Sequence, residues 1–119
     1  MKEANYTTGL EGEEQALRYL TGKGLTLIER RYRGSDGEID LVMADGDILV
    51  FVEVKYRPTG HTGDGLLAVS HGKRRRMVHA AQVFRVKRKA MDRPVRFDVV
   101  EITQDGICHI PNAFWADRP

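Results

Sequence analysis

Two carboxylates and one ammonium group lie inside the most apolar segments of this sequence. Asp40 stands between an isoleucine and a leucine, and Glu53 stands between two valines, two residues before Lys55. Burying a charged group is unfavourable unless the group is paired or binds a metal ion. Acids and a lysine at such positions therefore predict a cluster with a function in binding or catalysis.

The chemistry that best fits these groups is phosphodiester hydrolysis assisted by Mg²⁺ or Mn²⁺. Such hard cations bind carboxylate oxygens, keep several water molecules and take their remaining ligands from phosphate. Lys55 could stabilise the negative charge that develops on the phosphate, or orient the attacking water. The alternative is a structural ion pair between Lys55 and one acid. The surplus of acids over lysine favours the metal site.

Two further acids are candidates for the same site. Residues two apart in a strand face the same side, so Glu38 is expected beside Asp40, and both can face Glu53 if their strands pair through the turn at 45–47. On the first predicted helix, Glu13 interrupts a stripe of three leucines. This spacing aims Glu13 at the core or at a cleft beside it. The alternative is an edge residue whose carboxylate reaches solvent.

Basic side chains are concentrated in one later segment. The formal net charge is only +2, but residues 70–93 hold nine basic side chains and one acid, whereas residues 1–56 hold 11 acids and seven bases. An exposed helix normally mixes both signs, so this segment favours contact with nucleic-acid phosphates over a merely solvated face. The candidate contacts are Lys73, Arg74, Arg75, Arg76 and Arg57, and Lys73 is also an auxiliary candidate for the active site.

Periodicity and turn residues predict the elements that must position these side chains. A helix from about Gly9 to Thr21 is expected to begin with a capping box formed by Thr8 and Glu11. A second helix is expected to run from a cap at Ser70 to about residue 90. Strands are predicted at 25–33, 38–43, 48–56 and 95–102, with a weak one near 107–110.

The order of these elements is α-β-β-β-α-β, followed by a tail. Turns are predicted at 34–37 and 45–47, and a surface loop rich in glycine and proline at 58–65. This order predicts an α/β protein with a mixed central sheet flanked by helices.

Length and composition limit the class of protein. At 119 residues, one domain over 1–119 is expected. No apolar run approaches the roughly 20 residues that span a bilayer, and the N-terminus lacks the pattern of a secretory signal. The single cysteine cannot form an internal disulfide. We therefore expect a cytoplasmic protein with no membrane partner.

Three segments resemble those of the bacterial YraN-like family, namely residues 37–42, 51–57 and 96–100, and the resemblance covers about residues 9–102. That family is similar to PD-(D/E)XK nucleases such as archaeal Holliday-junction resolvases and RecB-type enzymes. The resemblance therefore implies a restriction-endonuclease-like core.

The resemblance also implies roles for individual residues. Asp40, Glu53 and Lys55 match the catalytic pattern of the superfamily, and Asp40 and Glu53 would bind the metal. Glu13 falls where the family carries an acid on a helix, and it would complete or support the metal site.

One position departs from the RecB-type pattern, because Gln82 is followed four residues later by Val86 rather than by tyrosine. A RecB-like detailed mechanism is therefore not implied. The leading hypothesis is a Mg²⁺- or Mn²⁺-dependent nuclease that acts on DNA, including branched DNA, and that could form a homodimer as junction-type enzymes do. The alternative is a non-catalytic nucleic-acid-binding or assembly module that has kept the fold.

Overall fold

The computed structural model describes residues 2–34, 37–63 and 69–114. Parts of the predicted turn at 34–37, of the loop at 58–65 and of the C-terminal tail lie outside the described residues. No helix among the described residues is long and apolar enough to cross a membrane. The described elements are α1 Lys2–Gly22, β1 Thr26–Arg33, β2 Glu38–Asp45, β3 Ile48–Arg57, α2 His71–Lys87, β4 Val95–Thr103 and β5 Gly106–Phe114.

The strands form one mixed sheet in the order β1-β2-β3-β4-β5. β3 and β4 run parallel, with α2 in the connection between them, and all other neighbours are antiparallel. Asp45 pairs with Ile48 across a two-residue turn in which Gly46 has a φ of 60°, a value that glycine adopts readily. The mixed sheet is confirmed. The weak strand predicted near 107–110 is also present, and as β5 it is longer than predicted.

The first helix is longer than the sequence predicted. α1 begins at Lys2, so the capping box assigned to Thr8 and Glu11 is wrong. Residues 2–8 contain neither proline nor glycine, and the helix therefore continues through them. Its end agrees with the prediction, because Gly24 closes the helix in the left-handed conformation with a φ of 101°.

The second helix begins where it was predicted to begin. The Ser70 hydroxyl accepts a hydrogen bond from the N–H three residues later over 3.2 Å. The helix ends at Lys87, earlier than predicted, because Lys89 takes a φ of 53°. The Ala90 N–H then donates back to the Arg85 carbonyl over 2.8 Å, which closes the last turn.

Each helix covers one face of the sheet. The stripe predicted on α2, from Met77 to Phe84, is buried over one face, and α1 buries Ala16 and Leu20 over the other. The strand residues under α2 are Tyr32, Ile39, Val42, Leu49, Phe51, Phe97, Val99 and Phe114, whereas those under α1 are Leu41, Met43, Val50, Val52, Val100 and Ile102. By alternation along β3, Glu53 and Lys55 lie on the α2 face.

Regular alternation of side chains breaks at one point in β2. Ile39 packs under α2, whereas Leu41, two residues later, packs under α1. The break falls at Asp40. The facing residue of β1 is Arg31, which has a φ of 51°. Glu38 was expected beside Asp40 because residues two apart in a regular strand face the same side. That alternation is broken at Asp40.

β2 and β3 separate after the pair formed by Leu41 and Val52. Before this point in the chain, β2 pairs only with β1, and beyond it β3 pairs only with β4, as far as Arg57. We refer to this separation, which lies between Asp40 on β2 and Glu53 on β3, as the fork.

Two glycines allow the helices to lie close to the sheet. A Cβ at Gly12 of α1 would be 2.6 Å from the Cβ of Tyr56 on β3. A Cβ at Gly37, just before β2, would be 3.1 Å from the Cβ of Arg76 on α2. Glycine at these two positions therefore sets the distance of each helix from the strands that form the fork.

We predict that Gly12→Ala destabilises the protein by about 1–3 kcal/mol, because α1 or Tyr56 must shift to admit the methyl group. Gly9→Ala is the matched control, since Gly9 is in the same helix and a Cβ there would meet no atom within 4 Å. The control should be neutral or stabilising by about 0.5–1 kcal/mol. Urea unfolding measures both changes, and equal effects of the two substitutions would contradict the close approach of α1 and β3.

Candidate active site

Asp40 bridges the fork from β2 to β3. Its Oδ2 accepts a hydrogen bond from the Val54 N–H over 2.7 Å. Because the ladder of the two strands ends at Leu41 and Val52, the carboxylate here takes the place of a main-chain carbonyl. The Asp40 side chain is therefore directed towards the β3 backbone, next to Glu53.

Glu53 is almost completely buried, with 1% of its surface exposed. Its Oε2 is 2.6 Å from Lys73 Nζ and 3.3 Å from Lys55 Nζ. Its Oε1 is also buried and accepts no hydrogen bond from a donor in the described part of the chain. One carboxylate thus meets ammonium groups from two elements and keeps one oxygen that could accept a proton or bind a cation.

The two acids differ in how strongly they hold a proton. Burial, reinforced by the negative charge of Glu53, raises the pKa of Asp40 to about 8. Burial acts in the same direction on Glu53, but the hydrogen bond with Asp40 and the pairing with Lys73 and Lys55 hold its pKa below its usual value. Near neutral pH, Asp40 therefore carries a proton that it shares with an ionised Glu53.

The structure brings together four of the residues selected from the sequence. Asp40 comes from β2, Glu53 and Lys55 come from β3, and Lys73 comes from the first turn of α2. The Ser70 cap fixes the start of α2, so that Lys73 is presented to the sheet. The roles of these residues in catalysis and metal binding stay predictions.

Glu13 takes part in a neighbouring ion pair. It is buried, as its place in the apolar stripe suggested, and its Oε1 and Oε2 are 2.9 Å and 3.1 Å from Arg31 Nε. Because Arg31 faces Asp40 across β1 and β2, Glu13 is connected to the fork through this arginine. Among the described residues, no group of three or more His, Cys, Asp or Glu side chains is arranged to hold a metal ion.

Two other selected residues lie at the rim of the site. Glu38 is exposed at the beginning of β2, and its Oε1 is 3.9 Å from Arg33 Nε. Arg57 is exposed at the end of β3, and by alternation it lies on the same face as Lys55. The structure therefore does not bring Glu38 into the carboxyl pair, and it leaves Arg57 open to solvent.

The three arginines that follow Lys73 have different surroundings. Arg74 is partly buried, and its Nε donates to the Val69 carbonyl over 3.1 Å. Arg75 and Arg76 are exposed. The last two are therefore better placed than Arg74 to contact a ligand.

Sequence reasoning missed one buried acid next to the site. Glu101 on β4 is fully buried, and it is the register partner of Lys55 on β3. Its Oε1 accepts a hydrogen bond from the Gly63 N–H over 2.6 Å, which anchors the chain that follows β3. The signal was available, because Glu101 lies between a valine and an isoleucine, much as Asp40 lies between apolar residues.

Asp98 is a buried acid with a structural network of its own. Its carboxylate accepts hydrogen bonds from Arg96 and from the Asn112 N–H, and it lies 2.7 Å from His109 Nε2. Burial raises the pKa of Asp98, but the contacts with His109, Arg96 and Asn112 outweigh it and hold that pKa below its usual value. Asp98 therefore joins β4 to β5 and is not part of the fork.

Comparison with known sequences identifies the family of this chain. A family described as "Uncharacterised protein family UPF0102" matches residues 12–102, which include the fork and both of its lysines. The chain belongs to the UPF0102 family. This agrees with the YraN-like resemblance seen in the sequence.

Relatives of this UPF0102 chain match it over almost their whole length. A UPF0102 protein of Geobacter metallireducens is 44% identical over 114 residues, which cover 92% of this chain and 93% of the relative. Another, of Pectobacterium carotovorum, is 46% identical over 104 residues, covering 86% and 88%. A third, of Herminiimonas arsenicoxydans, is 44% identical over 110 residues, covering 92% and 88%.

The raised pKa of Asp40 predicts a stability that decreases as the pH rises. In the unfolded chain this carboxyl loses its proton near pH 3.8, whereas in the folded protein it keeps the proton up to about pH 8. Between these values the folded state binds the extra proton, so the free energy of unfolding falls with increasing pH. The lowered pKa of Glu53 affects stability only at pH values near and below its usual value of 4.5, so the effect of Asp40 is isolated from about pH 5 upwards.

Asp40→Asn should remove this component of the pH dependence. The free energy of unfolding of the variant, relative to wild type, should increase from about pH 5 to about pH 8 in metal-free buffer, as measured by urea unfolding. Titrating groups remote from Asp40 are common to both proteins and cancel in the difference, and Glu53, whose pKa Asp40 affects, titrates below this range. A difference that stays constant with pH would contradict the raised pKa of Asp40.

Proposed function

We propose that this protein is a divalent-metal-dependent nuclease that hydrolyses phosphodiester bonds in DNA. The observation that carries the proposal is the carboxyl pair of Asp40 and Glu53 at the fork, next to the ammonium groups of Lys55 and Lys73. A structural ion pair needs only one acid and one lysine. The second acid is retained in a position where its ionised form is unfavourable, and such groups are concentrated at functional sites.

Asp40 and Glu53 would hold a Mg²⁺ or Mn²⁺ ion. Carboxylate oxygens are the ligands that these hard cations prefer, and Glu53 Oε1 is buried with no donor among the described residues. When bound, the cation would polarise the phosphate and lower the pKa of a coordinated water. Asp40 would give up its proton on binding, as metal ligands generally do. Glu13 would support the site by holding Arg31 opposite Asp40.

Lys55 would contact the phosphate itself. Its ammonium is 3.3 Å from Glu53 Oε2, and its side chain is 17% exposed, so it borders both the carboxyl pair and the solvent side. Hydrolysis adds water across one P–O ester bond and yields a phosphate monoester and a hydroxyl group. Lys55 would stabilise the negative charge on the phosphate oxygens in the transition state, while Lys73 keeps Glu53 ionised.

The proposal extends to the fold and to the kind of substrate. Separation of β2 from β3 at the carboxyl pair, and the parallel pairing of β3 with β4, support a restriction-endonuclease-like core. The resemblance to Holliday-junction resolvases supports branched or otherwise structured DNA as the substrate and a homodimer as the active form. The exposed positions of Arg57, Arg75 and Arg76 support contact with DNA phosphates.

We predict that Lys55→Met reduces cleavage by about 100-fold or more, because a positive charge is lost where negative charge develops. Metal affinity should change little in this variant, since Lys55 would not be a ligand. Asp40→Asn should lose both cleavage and metal binding. The measurements are titration of Mg²⁺ and Mn²⁺ with linear, single-stranded, flap and four-way DNA, and calorimetry of metal binding.

Lys87→Met is the control, because Lys87 is an exposed lysine in the last turn of α2, and this variant should cleave at the wild-type rate. Cleavage by Asp40→Asn at the wild-type rate would refute the proposal. Salt-sensitive DNA binding that survives Asp40→Asn, with no cleavage by the wild type under either metal, would instead favour a non-catalytic DNA-binding module.

A further inference from the structure

The arginines of α2 and of its C-cap fall into two groups according to their contacts. Arg74 donates to a main-chain carbonyl, and its guanidinium lies over the ring of Phe114. Arg85 donates to two main-chain carbonyls of the segment after the helix. Arg88 pairs with Glu29 on β1. These three arginines join parts of the chain to one another, so their side chains have a structural role.

Arg75 and Arg76 form the other group, because the side chain of neither makes an ion pair or hydrogen bond within the described part of the chain. With Gly72 and His79 they line a shallow groove of about 440 Å³. Residues three, four and seven positions apart lie on one side of a helix, which places Gly72 in line with the other three. A Cβ at Gly72 would be 3.3 Å from Nη1 of Arg76, so the absence of a side chain there leaves room for the guanidinium.

The groove lies within one helical turn of the candidate active site. Lys73, whose ammonium is 2.6 Å from Glu53 Oε2, directly follows Gly72. Arg76 is three positions beyond Lys73, which corresponds to a rise of about 4.5 Å along the helix. The close approach of Arg76 to Gly37 fixes this turn of α2 against the beginning of β2. The groove and the fork therefore have a fixed spacing.

The charge of the groove selects an anionic ligand. The first turn of α2 contains no acid, and the partial positive charge of a helix N-terminus adds to that of the two arginines. Guanidinium groups bind phosphate oxygens with paired, charge-assisted hydrogen bonds. A phosphate group is the ligand class that fits two adjacent arginines beside a phosphodiester-cleaving site.

We propose that this groove binds a backbone phosphate of the DNA strand a few nucleotides from the bond that is cleaved. The groove would thereby set where along the strand the pair of Asp40 and Glu53 acts. This inference rests on the proposed function for its substrate. Because a phosphate carries no sequence information, affinity should depend strongly on salt and weakly on base sequence.

The test measures DNA binding by fluorescence anisotropy at several salt concentrations, with Asp40→Asn as the parent so that no strand is cut. Adding Arg75→Ala and Arg76→Ala should weaken binding at least tenfold near physiological salt and reduce the slope of log affinity against log salt by about 1. Adding Arg75→Lys and Arg76→Lys should keep the salt slope and lose less affinity than the alanine pair, because the charge remains while the paired hydrogen bonds of the guanidinium are lost. Circular dichroism of both variants checks that the fold is intact.

The matched control adds Arg18→Ala and Lys87→Ala to the same parent. Both residues are exposed, Arg18 on α1 and Lys87 in the last turn of α2, beyond the residues that line the groove. The loss of charge is identical, so affinity should change by less than about twofold. Equal losses of DNA affinity in the two double-alanine variants would refute phosphate binding by the groove. A parent that binds no DNA even at low salt would overturn both proposals. Groove-dependent binding in a protein whose wild type never cleaves would overturn the nuclease and leave the groove standing.

Discussion

A carboxylate that is 1% exposed cannot stay ionised inside a sheet without compensation, and Glu53 receives it from three elements. Lys55 contributes from the same strand, Lys73 from α2, and a protonated Asp40 from β2. Only Lys55 is near Glu53 in sequence, so the position of α2 over the sheet and the course of β2 are both needed. Binding of a cation between Asp40 and Glu53 would therefore release the proton that Asp40 holds near neutral pH.

Three irregularities of the backbone lie where this arrangement is built. The positive φ of Arg31, the break in alternation at Asp40 and the end of the β2–β3 ladder all occur around the fork. A regular ladder would have placed Asp40 above one face and given the Val54 N–H a carbonyl. Strained residues of this kind cost about 1–3 kcal/mol each and persist where the surroundings hold them. The ion pair of Glu13 with Arg31 supplies part of that restraint.

The sequence carried strong signals for the strands and for the acids within them. Its signals were weak for the direction in which each side chain points and for the residue with which it pairs. Apolar runs bounded by glycine turns located β2 and β3, and acids inside those runs located Asp40 and Glu53. A break in alternation at a non-glycine residue has no local signature, so the direction of Asp40 could not be predicted. The partner of Glu13 depends on how α1 lies across β1, which no spacing reveals. Glu101 could have been predicted, because it is an acid between two apolar residues of a strand, as Asp40 is.

We propose that Asp40 and Glu53 together bind one cation, and anomalous diffraction from crystals soaked in Mn²⁺ tests this role. One strong anomalous peak is expected at the fork, about 2 Å from a carboxylate oxygen of each acid, and it should be lost in Asp40→Asn. A peak bound elsewhere, a peak that remains in Asp40→Asn, or the absence of any peak at the fork at saturating Mn²⁺ would contradict it.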